Sequence, residues 1–500
     1  MSHTHRSFLT CLAFATLFTA LFHGTGIGLN LLLFEAVVLV ALFALGRVPA
    51  QRHVLLPVAA TLLTAVMVVL YGSVLALVVN VVSVVFTVGV LLAPELEALH
   101  HAAALAMAHL FAAQRALLRT LPVARASGNG FRLTPRGVLS VTLVPLIVLL
   151  FVILYSASNP YFAELAVRSY AWLEVMDASL PLLFAAGLAL SAFLFLLTRH
   201  QRFMRWATSR TDALLPRTVD QQEAHQRVLR SEAMTGLLLL ACLNALLLLL
   251  NALDIWHVWF HFSFTGQYLK AFVHQGTWLL ILSIVLGALI VLYFFRGDLN
   301  FHSGNRTMKY LSYLWLLQNV VLVVSVALRN YWYIHHYALA YKRIGVAFFL
   351  LATLVGLVLI VLKVYHRRSH HFLIRWNMVS VYTIAVVMTL VDWDVLIARY
   401  NMAQRERAFV ELDFLATLED KALPALLVSA PELERLDAHD QRVTGLSSSE
   451  HRALYMHPVR FAYLTRQREQ RFLQTYPERS WREWVLADAR AYRALRSPKP

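Results

Sequence analysis

Long, uninterrupted apolar runs dominate this chain of 500 residues and restrict the folds open to it. A membrane-spanning helix needs roughly 17 to 25 mostly apolar residues, and eleven stretches approach or reach that length. Continuous apolar runs favour helices over barrel strands, in which apolar and polar side chains alternate. The chain is therefore predicted to be an all-α, polytopic helical membrane protein with about eleven spans. The predicted spans are Phe8–Phe22, Leu29–Leu45, Val54–Leu70, Ser73–Leu92, Val138–Tyr155, Leu180–Leu197, Ala233–Leu253, Thr277–Phe295, Leu311–Leu328, Ile344–Leu362 and Phe372–Val391.

The composition agrees with this prediction and excludes several classes of protein. Apolar residues make up 59% of the chain and charged residues only 14%, which is unlike a soluble domain. The net charge is +16, but the basic residues separate the apolar runs and do not form a patch for nucleic acid. The two cysteines, Cys11 and Cys242, both lie in apolar runs, so no disulfide framework or zinc motif is expected. The sequence thus indicates the lipid bilayer as a partner, no nucleic acid and no cofactor.

The distribution of lysine and arginine predicts how the spans are oriented. After the fourth span, alternate connections carry nineteen basic residues, and the connections between them carry five. Cytoplasmic loops are enriched in these residues, so the first set is predicted to be cytoplasmic. We therefore expect a cytoplasmic N-terminus and an extracytoplasmic C-terminus. A cleaved signal peptide is the alternative for the first apolar run, but no small-residue cleavage site follows it.

Two further segments shape the domain prediction. Glu97–Thr120 contains three histidines and is interpreted as an interfacial helix, although a spanning helix here would invert the first four spans. From about Arg399 onward charged residues become frequent, and apolar residues recur at helical spacing. The predicted domains are a transmembrane domain at 1–398 and a small extracytoplasmic helical domain at 399–500.

The stretch "NYWYIHHYALAYKRIG", Asn330 to Gly345, lies in a predicted outer connection. Tryptophan and tyrosine gather at membrane interfaces, which explains the aromatic residues without any binding site. The same interface explains Lys342 and Arg343 as anchors whose charged ends reach the headgroups. It explains less well why His335 and His336 lie with Arg329 on the side where positive charge is scarce. The candidate ligand-binding residues of this region are Arg329, His335, His336 and Arg343.

Two neighbouring outer segments suggest ion binding. If "NALDIWHVWFHF" is helical, then Asp254, His257 and His261 share one face and could bind a divalent metal. The tryptophans between them equally indicate an aromatic belt. His274 and Gly276 in "YLKAFVHQGTWLLI" are predicted at a helix start, where free backbone N–H groups could bind an anion. An ordinary helix cap is the alternative there.

Three carboxylates complete the set of candidates. Asp392 and Asp394 close the last predicted span, where they could coordinate a cation or simply end the helix and pair with a basic residue. Glu35 lies well within a span, where an ionisable group is costly and faces the bundle interior or a cavity. It is a candidate for function, with a hydrogen bond to a neighbouring helix as the alternative.

Several motifs in order resemble a family of bacterial multi-pass membrane proteins catalogued as domain of unknown function 4173, with the related 4153. They are "GIGLN", "SNPYF", "YLKAFVHQGTWLLI", "YALAYKRIGVAFF", "VLIARYN" and "LDFLATLEDKALPAL". The resemblance implies a helical integral membrane protein with a soluble C-terminal helical part, and no known reaction. It implies that His274, Gly276, Arg343, Arg399, Tyr400 and Asn401 belong to the family's pattern. Ala338 and Ala340 depart from it, because the family usually has glycine and threonine there.

Three hypotheses about function follow. The first is a non-enzymatic protein that binds a small polar or lipid-linked ligand at its outer face, for transport or envelope sensing. The second is a glycosyl- or phosphoryl-transferase, which predicts that Asp392 or Asp394 meets Arg329 or His335 in one pocket. The third is a scaffold that binds an envelope protein through an exposed apolar patch on its C-terminal domain. A transporter instead predicts that Glu35 faces a water-filled path.

Overall fold

A computed structural model describes most of the chain. The described residues are 3–120, 148, 164, 179–197, 201–214, 223–261, 266–295, 298–301, 305–429, 432, 435–436, 439 and 454–497. Within them the secondary structure is helical, apart from one isolated bridge between Ala213 and Arg368. The predicted span Val138–Tyr155 lies outside the described residues.

The chain divides into two compact units. Unit 1 comprises Met1–Ser209 together with Glu478–Ala489, and unit 2 comprises Arg210–Pro477 together with Arg490–Pro500. The helices that begin in unit 1 are α1 (His3–Phe22), α2 (Leu29–Ala44), α3 (Arg52–Tyr71), α4 (Val74–Leu92), α5 (Leu99–Thr120), α6 (Ser179–Phe195), α7 (Gln201–Thr208) and α17 (Leu486–Arg496). The helices of unit 2 are α8 (Glu223–Asp254), α9 (Gly266–Phe294), α10 (Arg306–Tyr337), α11 (Tyr341–Tyr365), α12 (His370–Met388), α13 (Trp393–Ala403), α14 (Leu412–Leu415), α15 (Leu423–Leu426) and α16 (Pro458–Thr475).

The apolar runs form helices, which confirms the predicted all-α membrane fold. By length and composition, six helices of the described chain could cross a membrane: α3, α4, α10, α11, α12 and the segment Leu229–Phe260. Shorter apolar helices cover Arg6–Phe22, Leu29–Ala44, Ser179–Phe195 and Leu279–Phe294. A helix satisfies its own backbone, so even the valine-rich α4 is helical in an apolar setting. The helix α5 also forms, and His101 and His109 on it are buried.

Unit 2 has a large core among its long helices and a second core around the α10–α11 turn. The second core contains Ala338 and Ile344 from that turn, Ile397 from α13, Leu415 from α14 and Phe461 from α16. The residues after Arg399 therefore share a core with residues before it. The predicted domain boundary at 398/399 stays a prediction.

In unit 1, the C-terminal segment Glu478–Ala489 packs on the turn between α1 and α2. The backbone N–H of Gly26 donates to Glu483 Oε2 at 2.7 Å, and that of Leu29 donates to the carbonyl oxygen of Trp484 at 3.2 Å. A Cβ on Gly28 would lie 2.5 Å from the carbonyl carbon and oxygen of Glu483. The motif "GIGLN" thus provides the surface on which residues 478–489 pack.

We expect Gly28→Ala to displace this segment from the turn between α1 and α2, because the new methyl group would clash with backbone atoms of Glu483. Loss of the hydrogen bonds that the N–H groups of Gly26 and Leu29 donate should speed amide hydrogen exchange at these two residues by about tenfold or more. Gly345→Ala is the matched control, since no heavy atom lies within 4 Å of a Cβ there. Unchanged exchange in Gly28→Ala would show that the segment does not depend on this contact.

Candidate functional site

Three carboxylates surround the ammonium group of Lys421. Its Nζ lies 2.7 Å from Glu419, 3.2 Å from Asp394 and 3.6 Å from Asp392, and its side chain is only 1% exposed. Asp394 also accepts a hydrogen bond from the Tyr341 hydroxyl at 2.5 Å, and Asp392 caps α13 by accepting from the backbone N–H of Val395. The cation predicted beside Asp392 and Asp394 is thus supplied by the chain itself.

The charges in this lysine cluster (Lys421, Asp392, Asp394 and Glu419) are unequal in number. Burial opposes the charged form of Lys421, but its three carboxylates outweigh that effect and raise its pKa above the ordinary value of 10.5. Burial also raises the pKa of Asp392, because one ammonium group shared among three carboxylates does not fully offset it. Lys421 and Asp392 thus both hold their protons more tightly than usual.

Arg343 and Asn401 hold the turn between α10 and α11. The buried guanidinium of Arg343 donates to the carbonyl oxygens of Tyr337 and Ala338, and lies 4.3 Å from the ring centroid of Tyr333. The Asn401 side chain accepts from the backbone N–H of Leu339 at 2.8 Å and donates to its carbonyl oxygen at 2.9 Å. Arg343 and Asn401, both predicted to bind a ligand, thus form hydrogen bonds with backbone atoms of this turn.

Ala338 has a backbone conformation that glycine prefers. Its φ is 59° and its ψ is −164°, a region that costs a non-glycine residue on the order of 1–3 kcal/mol. This is one of the two positions where the sequence departs from the family it resembles, which usually has glycine. The buried contacts of Arg343 to this residue hold it in place despite the strain.

We expect Ala338→Gly to raise the free energy of unfolding by about 1 kcal/mol or more, because it removes this strain. The measurement is a denaturant titration of the purified protein, followed by tryptophan fluorescence. The control is Ala340→Gly, whose φ of −148° suits alanine, so that glycine there should only destabilise through chain entropy. Equal effects of the two substitutions would contradict the prediction.

The remaining outer candidates lie apart from these contacts. His335 and Arg399 are exposed, and His336 is partly exposed, with its backbone carbonyl accepting from the N–H of Phe409 at 2.8 Å. Side-chain contacts of His274 and Gly276 lie outside what the structure describes, but both residues are inside α9, which begins at Gly266. The predicted helix start was therefore wrong, and the backbone N–H groups there are not free donors.

Asp254 and Arg329 form a buried ion pair between α8 and α10. Asp254 is 5% exposed and so is Arg329. A π-helical turn, Ile255–Phe260, follows Asp254 and rotates the next residues away from it, so His257 and His261 are exposed. The predicted shared face was wrong for this reason, and these three side chains form no group of metal ligands in the described residues.

A row of polar side chains continues from this ion pair along the α8–α10 interface. Asn244 donates to the carbonyl oxygen of Leu311, and Asn251 to that of Gln318, both at 3.0 Å and both across 67 residues of sequence. The equal separation shows that the two helices run parallel. The Gln318 side chain also donates to Asn244 Oδ1 at 2.7 Å.

Three oxygens of this polar row (Asn244, Asn251, Asp254, Gln318, Ser325 and Arg329) are buried and accept no hydrogen bond in the described residues. They are Asn251 Oδ1, Asp254 Oδ2 and Gln318 Oε1. A buried acceptor without a donor costs roughly 1–3 kcal/mol. These oxygens therefore call for a donor that the described residues do not supply, such as water or a polar ligand.

Glu35 lies in a separate polar group inside unit 1. It is 7% exposed, and its Oε2 accepts from the Asn80 side chain at 3.1 Å. Asn80 also contacts the Thr61 carbonyl at 3.1 Å and the Thr64 hydroxyl at 3.2 Å. The predicted hydrogen bond between Glu35 and a neighbouring helix is present.

Several important residues were missed in the sequence. Lys421 and Glu419 lie within the motif "LEDKALPAL", and a lysine is uncommon in this chain, which was the available signal. Asn244, Asn251 and Gln318 lie inside apolar runs, where a seven-residue spacing of amides could have indicated a helix interface. Asn80 gave no comparable signal.

The comparisons with known proteins are limited to one family. No curated protein and no solved structure matches the chain. A family model described as domain of unknown function, DUF4153, matches residues 58–428. The motifs resemble family 4173, and the family that matches is its relative, 4153. The resemblance is therefore confirmed only at the level of a family of unknown function. The match covers well over half of the sequence, and the chain belongs to the DUF4153 family.

Proposed function

We propose that the protein is a membrane transport protein for small polar solutes, with the polar row between α8 and α10 as its path. The observation that carries the proposal is the set of buried oxygens without donors, next to the Asp254–Arg329 ion pair. Ionisable residues within apolar helices are costly and mark solute or ion paths. A hydrated row would supply the missing donors.

The extent of the row suits such a path. From Asn244 to Asp254 the helix rises about 15 Å, roughly half of the hydrocarbon core of a bilayer. Both helices run from the predicted cytoplasmic side outward, so the ion pair lies in the outer part of the path. A small polar solute fits this better than a ligand bound only at the outer face, where Arg343 and Asn401 already hold backbone.

The transferase hypothesis has less support. It requires Asp392 or Asp394 to meet Arg329 or His335, whereas Lys421 lies beside the two aspartates and Asp254 beside the arginine. Glu35 is a buried carboxylate of unit 1, and the proposed path does not include it.

The scaffold hypothesis is favoured by one observation, which is the exposure of Val459 and Tyr463 on α16 at 69% and 65%. If this face binds an envelope protein, Val459→Asp with Tyr463→Asp should lower the apparent mass of the complex in gently solubilised membranes. An unchanged mass would remove the support for that function.

The proposed location is a bacterial inner membrane, with a cytoplasmic N-terminus and an extracytoplasmic C-terminus. The contact between Gly26 and Glu483 supports it, because it requires the first connection and the C-terminal segment to lie on one side. The predicted topology places both outside, and an α5 that spanned the membrane would separate them.

Thiol labelling tests the transport path without knowledge of the solute. In a background with Cys11→Ala and Cys242→Ser, single cysteines replace Gln318 or Ser325 in the row. A membrane-impermeant thiol reagent reacts with thiolates in water, so both positions should be labelled in intact membranes. The controls are Leu317→Cys and Leu248→Cys, whose native side chains are 61% and 63% exposed on the lipid-facing surface. A row that labels no faster than these controls is dry, and the proposal then fails.

A further inference from the structure

Lys363 places a positive charge inside unit 2, at the end of the helices that the sequence predicts to be cytoplasmic. The residue is fully buried, and its ammonium group donates to the carbonyl oxygen of Phe295 at 2.8 Å. No carboxylate of the described chain lies within ion-pair distance of it. Phe295 directly follows α9, so part of the charge is balanced by the negative end of that helix dipole.

Two more basic side chains and a helix start lie at the same end. The Arg367 guanidinium lies 5.2 Å from the ring centroid of Phe301, and Lys309 is close enough to Arg367 for their charges to repel. Neither forms an ion pair with the described residues. The helix α10 begins at Arg306 without a side-chain cap, so its first backbone N–H groups have no acceptor from Asn305.

Asn300 is the second, independent sign that something polar belongs here. It lies in the short 3₁₀ turn Asp298–Phe301 and is 0% exposed, yet neither its Oδ1 nor its Nδ2 has a hydrogen-bond partner among the residues that the structure describes. The neighbouring Asn305 donates to the Asn300 carbonyl oxygen at 2.8 Å. The unpaired amide therefore belongs to a residue that contacts the start of α10, and the next residue, Phe301, lies against Arg367.

A structural role explains only part of this arrangement. Lys363 caps α9, but an ammonium group has three donors and this contact uses one. Packing does not explain a fully buried amide with neither atom paired in the described residues, since a buried polar group without a hydrogen bond destabilises the folded state. An anion would accept from all of these donors and balance their charge.

We propose that this end of unit 2 binds a phosphate group, held by Lys309, Lys363 and Arg367, the Asn300 amide and the first N–H groups of α10. Basic sites between helices on the cytoplasmic side suit phospholipid headgroups. A phosphorylated solute offers the same oxygens. The chemistry is shared, and the experiment separates the two sources.

The test uses the full-length protein in phosphatidylcholine nanodiscs and follows the midpoint of thermal unfolding. One arm adds phosphatidylglycerol to the nanodiscs, and the other adds inorganic phosphate, with chloride at equal ionic strength as the reference. Wild type is compared with Lys309→Gln/Arg367→Gln and with a control of equal charge change, Arg490→Gln/Arg493→Gln, at exposed positions. The control also reports the general stabilisation that phosphate gives proteins.

We expect the anion to stabilise wild type and the control, and to act on Lys309→Gln/Arg367→Gln with roughly 10- to 100-fold weaker apparent affinity. A response to phosphatidylglycerol alone identifies a lipid headgroup, and a response to phosphate identifies a soluble ligand. Equal responses of all three proteins in both arms overturn the proposal.

Asn300→Leu separates ligand binding from structure. It removes an unpaired polar group, so the protein without anion should be as stable as wild type or more stable. We expect it to weaken the response to the effective anion. A variant that is less stable but responds like wild type would show that Asn300 serves packing, and the site would then be wrong.

Discussion

Lys421→Met is expected to lower the free energy of unfolding by about 3–5 kcal/mol, the cost of leaving buried charges without their partner. The substitution keeps the length and apolar stem of the side chain but removes the ammonium group that lies beside Asp392 and Asp394, which are mostly buried. A denaturant titration of the purified protein measures the loss. Lys342→Met is the control, because that lysine is exposed and should change stability by less than about 0.5 kcal/mol.

Neutralising the two aspartates that lose their partner should restore stability. We expect Asp392→Asn and Asp394→Asn, added to Lys421→Met, to recover much of the loss. A triple variant that is no more stable than Lys421→Met would show that packing, and not charge, accounts for the effect.

The pKa shifts also give the lysine cluster a pH dependence with a definite sign. A raised pKa in the folded state means that the stabilising contribution of Lys421 is fully present below about pH 10.5 and is lost as the pH rises through its folded pKa. The pKa of Asp392 is also raised in the folded state, so this group stabilises the fold below its ordinary pKa of 3.8. That contribution is likewise lost as the pH rises through the folded pKa. The alkaline loss should be absent in Lys421→Met.

Asp254→Asn is expected to have an effect of similar size, about 3–5 kcal/mol, because Arg329 then keeps a buried charge without its carboxylate. The same titration measures it. The matched control is Asp212→Asn, which breaks the pair with Arg375, where the side chains are 28% and 23% exposed. Such a partly exposed pair contributes about 0–1 kcal/mol.

The double variant Asp254→Asn/Arg329→Met distinguishes a buried charge from a lost contact. It leaves neither charge behind, so it should be more stable than Asp254→Asn alone. If the two losses simply add, the side chains act independently and the ion pair has no energetic role.

The helices could be predicted because a single local signal determines them. Ten of the eleven predicted spans coincide with described helices, since an apolar run long enough to cross a bilayer must satisfy its own backbone. The π-helical turn after Asp254 could not be predicted, because its register depends on packing against α10, as in the Trp259 to Ser325 hydrogen bond.

Individual residues could be selected as candidates from the sequence, but their contacts could not be predicted. Asp254, Arg329, Arg343, Asp392 and Asp394 were all selected from their charge in apolar surroundings. Their partners lie elsewhere in the sequence, since Arg329 is 75 residues from Asp254, and a single sequence carries no signal for such distances. Arg343 was expected to bind a ligand. In the structure its guanidinium donates to the carbonyl oxygen of Ala338, whose positive φ could not be read from the sequence.

The contact between Gly26 and Glu483 has a consequence for biosynthesis. The two residues are separated by 457 positions, and ribosomes add roughly 5–20 residues per second. The first two helices are therefore translated roughly 20 to 90 seconds before the segment that packs on the turn between them. Until then, the turn must remain open to water, and a nascent chain arrested near its end carries a finished membrane domain with an unfinished first hairpin.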